Sequence, residues 1–129
     1  MEIKLIASLS VLMLLASTQS AFATLSENDS TNNVWNIKTN QQVQIAADIT
    51  NNQDVKQPFV YIVQVQNSEG KVMLLTWMTG LLQPHQSMSP AQSWTPTEPG
   101  IYTAHIFNWQ TLVLGLPLSF PLEMKINVT

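Results

Sequence analysis

The chain of 129 residues contains no cysteine and no arginine, and only 10% of it is charged. Without cysteine there is no disulfide to brace the fold, no thiolate for a metal centre and no cysteine nucleophile, so packing alone must hold the core. Without arginine, and with the few lysines scattered for a net charge of −3, no cationic cluster exists to neutralise phosphates. That excludes nucleic acid as a partner and equally excludes charge-driven docking on an anionic membrane. Helix-period segments are missing after the N-terminal apolar run, and no internal repeat is visible. Solubility falls to Gln, Asn, Ser and Thr, which are abundant.

What is present begins with MEIKLIASLSVLMLLASTQSAFA. Lys4 gives a positive n-region, Leu5 to Ala16 an apolar run, and Ala21-Phe22-Ala23 a small-x-small cleavage site, so residues 1–23 read as a cleaved secretory signal peptide. The run is short of the roughly 20 residues that span a bilayer, so no transmembrane segment is expected after cleavage. Residues 24–33, TLSENDSTNN, carry no apolar periodicity and read as a flexible leader. Residues 34–129 are then one domain of about a hundred residues, enough for one modest core.

Period-two alternation bounded by turn residues runs through that domain, which is the strand signature. Val43, Ile45, Ala47 and Ile49 share one face, with Gln42, Gln44 and Asp48 on the other. Phe59, Tyr61, Val63 and Val65 alternate with Val60, Ile62, Gln64 and Gln66. Asn67-Ser68-Glu69-Gly70 forms a hairpin connection to a return strand Lys71–Met78, with Gly70 supplying the positive φ. GLLQPHQS, from Gly80, reads as a loop, and Met88–Trp94 as a short strand that Pro90 demotes to an edge. Ile101–Trp109 is the next strand, and Leu118–Val128 the last, with six alternate apolar positions. With a short strand near Val34–Lys38 this makes about seven strands, an all-β antiparallel sandwich.

At Glu98-Pro99-Gly100-Ile101-Tyr102 the chain resembles the corner that enters the penultimate strand of Ig-like sandwiches, especially secreted prokaryotic modules of the fibronectin type III and CARDB kind. The resemblance implies a single Ig-like fold in which Tyr102 packs inward and its hydroxyl bonds back to nearby backbone. It implies no function, since such sandwiches host many roles. Pro99 and Gly100 suit the centre of a type II turn. If Tyr102 points inward, period two sends Ala104 and Ile106 inward with it and leaves Thr103, His105, Phe107 and Trp109 outward.

Catalytic chemistry is sparse. Two histidines and scattered carboxylates form no motif, and Asp48, Asp54, Glu69 and Glu98 fall on turns or wet faces, so no enzyme and no cofactor are expected. The alternative chemistry is an exported copper-binding or redox accessory protein, because His85 and Met88 at H-x-x-M, together with His105, offer soft N and S ligands. Asn28-Asp29-Ser30 and Asn127-Val128-Thr129 have glycosylation spacing, which also arises by chance in such a composition.

The principal candidate surface is the outward set Val60, Ile62, His105, Phe107 and Trp109, an apolar face on a sheet that should meet water. It suits a non-catalytic secreted or cell-envelope binding module that holds a protein or polysaccharide of the envelope, and an oligomer is compatible with it. A structural module of a surface assembly is a further alternative. Whether the apolar loop 110–117 folds back over this face or leaves it bare stays open at this level.

Overall fold

The structure, a computed structural model, describes residues 6–11 and 34–129. Its nine strands are β1 (Ile6–Val11), β2 (Val34–Ile37), β3 (Val43–Thr50), β4 (Gln57–Asn67), β5 (Val72–Leu82), β6 (Ser87–Met88), β7 (Ala91–Trp94), β8 (Gly100–Trp109) and β9 (Leu122–Val128). All described elements are strands, and they form two sheets. One sheet centres on β3, with β1 on one side and the broken strand β6–β7 on the other. The second runs β2-β9-β8-β4-β5. The remaining residues of the expected signal peptide and the leader 24–33 lie outside the described residues.

The core forms between the sheets from the alternating positions. Val43, Ile45, Ala47 and Ile49 of β3 are fully buried, as are Tyr61, Val63 and Val65 of β4 and Ala104 and Ile106 of β8. Each large apolar side chain removed from water this way contributes about 1.5–3 kcal/mol. The Tyr61 hydroxyl crosses the sandwich to donate to the Ile45 carbonyl at 3.0 Å, which satisfies the polar tip of a wholly buried ring. Burial also pushes its ionisation well above the ordinary 10.0.

The corner is built as the sequence implies in one respect and not in another. The Tyr102 hydroxyl donates to the Glu98 carbonyl at 2.9 Å, and its ring meets Trp94 edge-on with centroids 5.0 Å apart. The expected type II turn is absent: Gly100, already the first residue of β8, has φ 153°, a positive value that suits glycine but is far from the roughly 80° that turn requires. A type II turn occurs instead at Pro84-His85: His85 has φ 58°, and Gln86 N–H donates to the Gln83 carbonyl at 3.1 Å.

Three boundaries differ from the sequence reading. Gly80 lies inside β5, opposite Phe59, so the loop begins after Leu82. A glycine fits there because the Phe59 ring occupies the space that a Cβ would need. β9 starts at Leu122 rather than Leu118: Pro121 has no N–H to give the ladder, and Phe120 is 92% exposed. Met88–Trp94 is divided at Ser89-Pro90, where the Ser89 hydroxyl bonds the Asp48 carboxylate. The hairpin is as expected, with Gly70 at φ 80° and Asn67 Oδ1 accepting from the Glu69 and Lys71 N–H groups at 3.0 and 2.9 Å.

Candidate functional site

The outer face of the five-stranded sheet is set by register. Trp77, Ile62 and Phe107 form one row across β5, β4 and β8, and Thr79, Val60 and Trp109 the next. Leu75, Gln64, His105 and Glu123 form a third, which extends to β9. Along β8 the rings lean on each other, His105 stacked on Phe107 at 6.2 Å and Phe107 tilted against Trp109 at 5.9 Å. None of the outward residues of β4, β5 and β8 carries a formal charge with histidine neutral.

The expected site residues thus share one face, but at different depths. Val60 and Ile62 are nearly inaccessible, at 3% and 5%, because β4 is a central strand: Trp77 and Phe107 flank Ile62 on both sides, and Trp109 and Thr79 flank Val60. They support the surface from beneath. His105, Phe107 and Trp109 are half-buried. The accessible part comes from β5, where Leu75, Trp77 and Leu81 are 55%, 52% and 48% exposed. Sequence reasoning missed these three because Val72–Leu82 is apolar on both faces and shows no alternation. The available signal was the hairpin at Asn67–Gly70, which fixes the β4–β5 register and hence which β5 residues face out.

The loop after β8 closes on itself. Gln110 N–H donates to the Leu116 carbonyl at 2.7 Å, Gly115 N–H to the Thr111 carbonyl at 3.2 Å and Leu118 N–H to the Asn108 carbonyl at 2.8 Å. Pro117 bridges to Trp109, and Gly115 packs close to the Trp109 ring. The loop is therefore anchored at the Trp109 end of the face, and it presents apolar residues of its own: Val113 and Leu114 remain largely exposed.

The residues considered for copper do not converge. His85 Nε2 lies 2.7 Å from Asp54 Oδ1 in an exposed loop, whereas His105 Nδ1 lies 4.0 Å from Glu123 Oε2 on the outer sheet face. His105 pairs with Gln64 and the His85 loop follows Leu82, which pairs with Gln57. At about 3.3 Å per residue, the seven β4 residues between those pairings span roughly 23 Å, so the two histidines belong to opposite ends of the strand. Met88 packs against the core. No group of three His, Cys, Asp or Glu side chains placed to hold a metal ion occurs among the described residues.

The S-layer A-like (SlaA-like) family model matches residues 11–128. No curated protein matches the chain. Among solved structures, the CARDB domain of a Pyrococcus furiosus protein, determined in complex with di-metal ions, is 18% identical. That match covers 72% of this chain and 83% of that one with a TM-score of 0.54. A Listeria innocua β-glucosidase in complex with isofagomine is 13% identical over 98% of this chain, TM-score 0.60. A Clostridium perfringens family 123 glycoside hydrolase is 13% identical over 75%, TM-score 0.54. The chain spans only 16% and 23% of those two enzymes. At these identities the likeness concerns the fold: a prokaryotic Ig-like β-sandwich module.

Proposed function

Because the chain belongs to the S-layer A-like family, we propose that it is a non-catalytic building block of a surface assembly, exported with residues 1–23 removed. The outer face of the five-stranded sheet is where it meets a neighbouring protein subunit. One observation carries this reading: Leu75, Trp77 and Leu81 stand about half exposed on an uncharged sheet face, beside a ladder of aromatic rings. Water-facing apolar surface of this extent on a small domain marks an interface. The open edge of β5, eleven residues without a charge, continues the same surface, and bare edges of that kind pair with other chains.

The aromatic row favours a protein over a polysaccharide. His105 and Phe107 are stacked with an interplanar angle of 20°, so their faces turn toward each other instead of forming a platform for sugar rings. A non-catalytic role is supported by the separation of the carboxylates, with Asp54 and Glu123 each near a different histidine.

The test is Trp77→Ser together with Leu75→Ser in the full chain. Both residues are about half exposed, so the variant is expected to fold with a loss of about 1–3 kcal/mol from the apolar area it no longer buries, while co-sedimentation with native surface-layer material is lost. A variant that co-sediments like the parent would refute the assignment. Trp109→Ala serves as the contrast, since it removes the ring against which the 110–117 loop is anchored and costs stability as well.

A further inference from the structure

A strand slot lies on the opposite sheet. β1 pairs antiparallel with β3 over six residues, from Ile6 opposite Asp48 to Val11 opposite Val43. The other side of β3 is taken by β6 and β7, so β1 closes the sheet at its edge. The β3 residues on this ladder include Val43, Ile45 and Ala47, all at 0% exposure. The segment that fills the slot is also the apolar run expected to be cut away on export. The family match likewise begins at Val11, the last residue of β1.

Removal of residues 1–23 would leave the β3 edge open. Residues 24–33, next along the chain, hold one large apolar side chain, Leu25, and cannot supply an alternating strand. The strand after them, β2, is committed to the other sheet beside β9. Free edges are ordinarily blunted by proline, lysine, bulges or inward charges. β3 has none of these, and its one charged residue, Asp48, is bonded to Ser89.

The chain carries a second segment suited to this slot. Leu112, Leu114, Leu116, Leu118 and Phe120 recur at every second position of an uncharged stretch outside both sheets. Phe120 is 92% and Leu114 68% exposed, an orientation for which the isolated domain gives no reason.

We propose that the β3 edge is a strand-acceptor slot, filled in the precursor by Ile6–Val11 and, after that segment is removed, by Leu112–Phe120 of a second copy of this chain. The step rests on the export and assembly reading above. Withdrawing the segment gives up three backbone bonds, from Gln110 to Leu116, from Gly115 to Thr111 and from Leu118 to Asn108, together with the Pro117 bridge to Trp109 and the Leu118 contact with the core, and ladder bonds to β3 replace them. Pro117 is accommodated with its nitrogen turned from the ladder, as prolines on edge strands are. Donor and acceptor are different surfaces, so the contact is head-to-tail and builds an open array rather than a closed dimer.

The experiment uses the full chain with a specific protease site placed within residues 24–33, cut after folding. Sedimentation is followed together with amide exchange at Gln44, Ala46 and Asp48, the β3 positions that alternate with Ala47, whose N–H donates to Pro90 on the other side. Release of the leader is expected to convert monomer to extended oligomers with β3 amides still protected. In Leu114→Asp/Leu116→Asp the cut chain is expected to stay monomeric, with those amides exchanging at least about tenfold faster. A synthetic peptide of residues 110–121 should block association of the parent and restore protection in the variant, and the same peptide with Leu114→Pro and Leu116→Pro, whose nitrogens face the ladder, should not. The proposal is overturned if the cut parent stays monomeric, whether the leader leaves or stays bound, or if the double variant associates normally. It is also overturned if protein recovered from the native surface still carries Ile6–Val11. Failure here with Trp77→Ser still blocking co-sedimentation removes the slot and leaves the outer-face assignment standing.

Discussion

Gly80→Ala tests how tightly the β4–β5 pair is packed. A Cβ at that position would lie 2.5 Å from both Cε1 and Cζ of Phe59, about 1–1.5 Å inside the roughly 3.5–4.0 Å of a normal carbon contact. Phe59 is 1% exposed, so its ring has no solvent to swing into and the core must shift. Overpacking of this kind costs about 1–3 kcal/mol, offset by about 0.4–1 kcal/mol from the less flexible unfolded chain. The expected net loss is about 1.5 kcal/mol, or about 9 °C in Tm for a domain of this size. Urea unfolding followed by tryptophan fluorescence measures it. On a Phe59→Leu background, which removes both offending atoms, the same Gly80→Ala change should be near neutral, a coupling of at least about 1 kcal/mol. If the two changes simply add, the steric explanation for glycine at this position is wrong.

Two further outcomes follow from the tyrosines. Tyr61 is held neutral by burial, its ionisation raised from the ordinary 10.0, so its contribution is complete below pH 10 and declines as pH rises toward the folded-state value. The unfolded chain alone ionises there, so at pH 11 this group should weaken the fold by about 1.4 kcal/mol relative to pH 9. Tyr61→Phe should lack that increment in paired urea titrations, and an identical alkaline slope in both proteins would count against it. Tyr102→Phe keeps the ring against Trp94 but deletes the bond to the Glu98 carbonyl. It should lower stability by about 1 kcal/mol, and a midpoint in urea indistinguishable from the parent would show that the corner bond is dispensable.

The strands legible in the sequence are those that bury one face or carry an obvious period. β3 and β8 alternate cleanly, and the inward placement of Tyr102, Ala104 and Ile106 follows from a single orientation choice. The accessible half of the candidate face was hidden for the opposite reason. β5 is apolar on both sides, so nothing local distinguishes Trp77 from Met78, and only the pairing of Tyr61 with Met78 and Ile62 with Trp77 decides which one faces out. Alternation from Leu118 to Val128 overstated the last strand, since a pattern of side chains does not reveal that Pro121 cannot donate to a ladder. The pairing of Ile6–Val11 with β3 was equally invisible, because an apolar run that reads as an export signal is chemically also a good edge strand.

The pairing of β2 with β9 brings the two ends of the described domain together. Asn127 Nδ2 donates to Asn36 Oδ1 across a separation of 91 residues, and Thr39 N–H and Thr129 N–H donate to the Thr129 and Ile37 carbonyls. A chain delivered from its N-terminus can form the β4–β5 hairpin early, within microseconds, but it cannot close the five-stranded sheet until its last residues arrive. With no cysteine to oxidise along the way, no covalent step traps a partial arrangement. The topology thus makes closure of the five-stranded sheet wait for β9, without which β2 and β8 have no neighbour to join them.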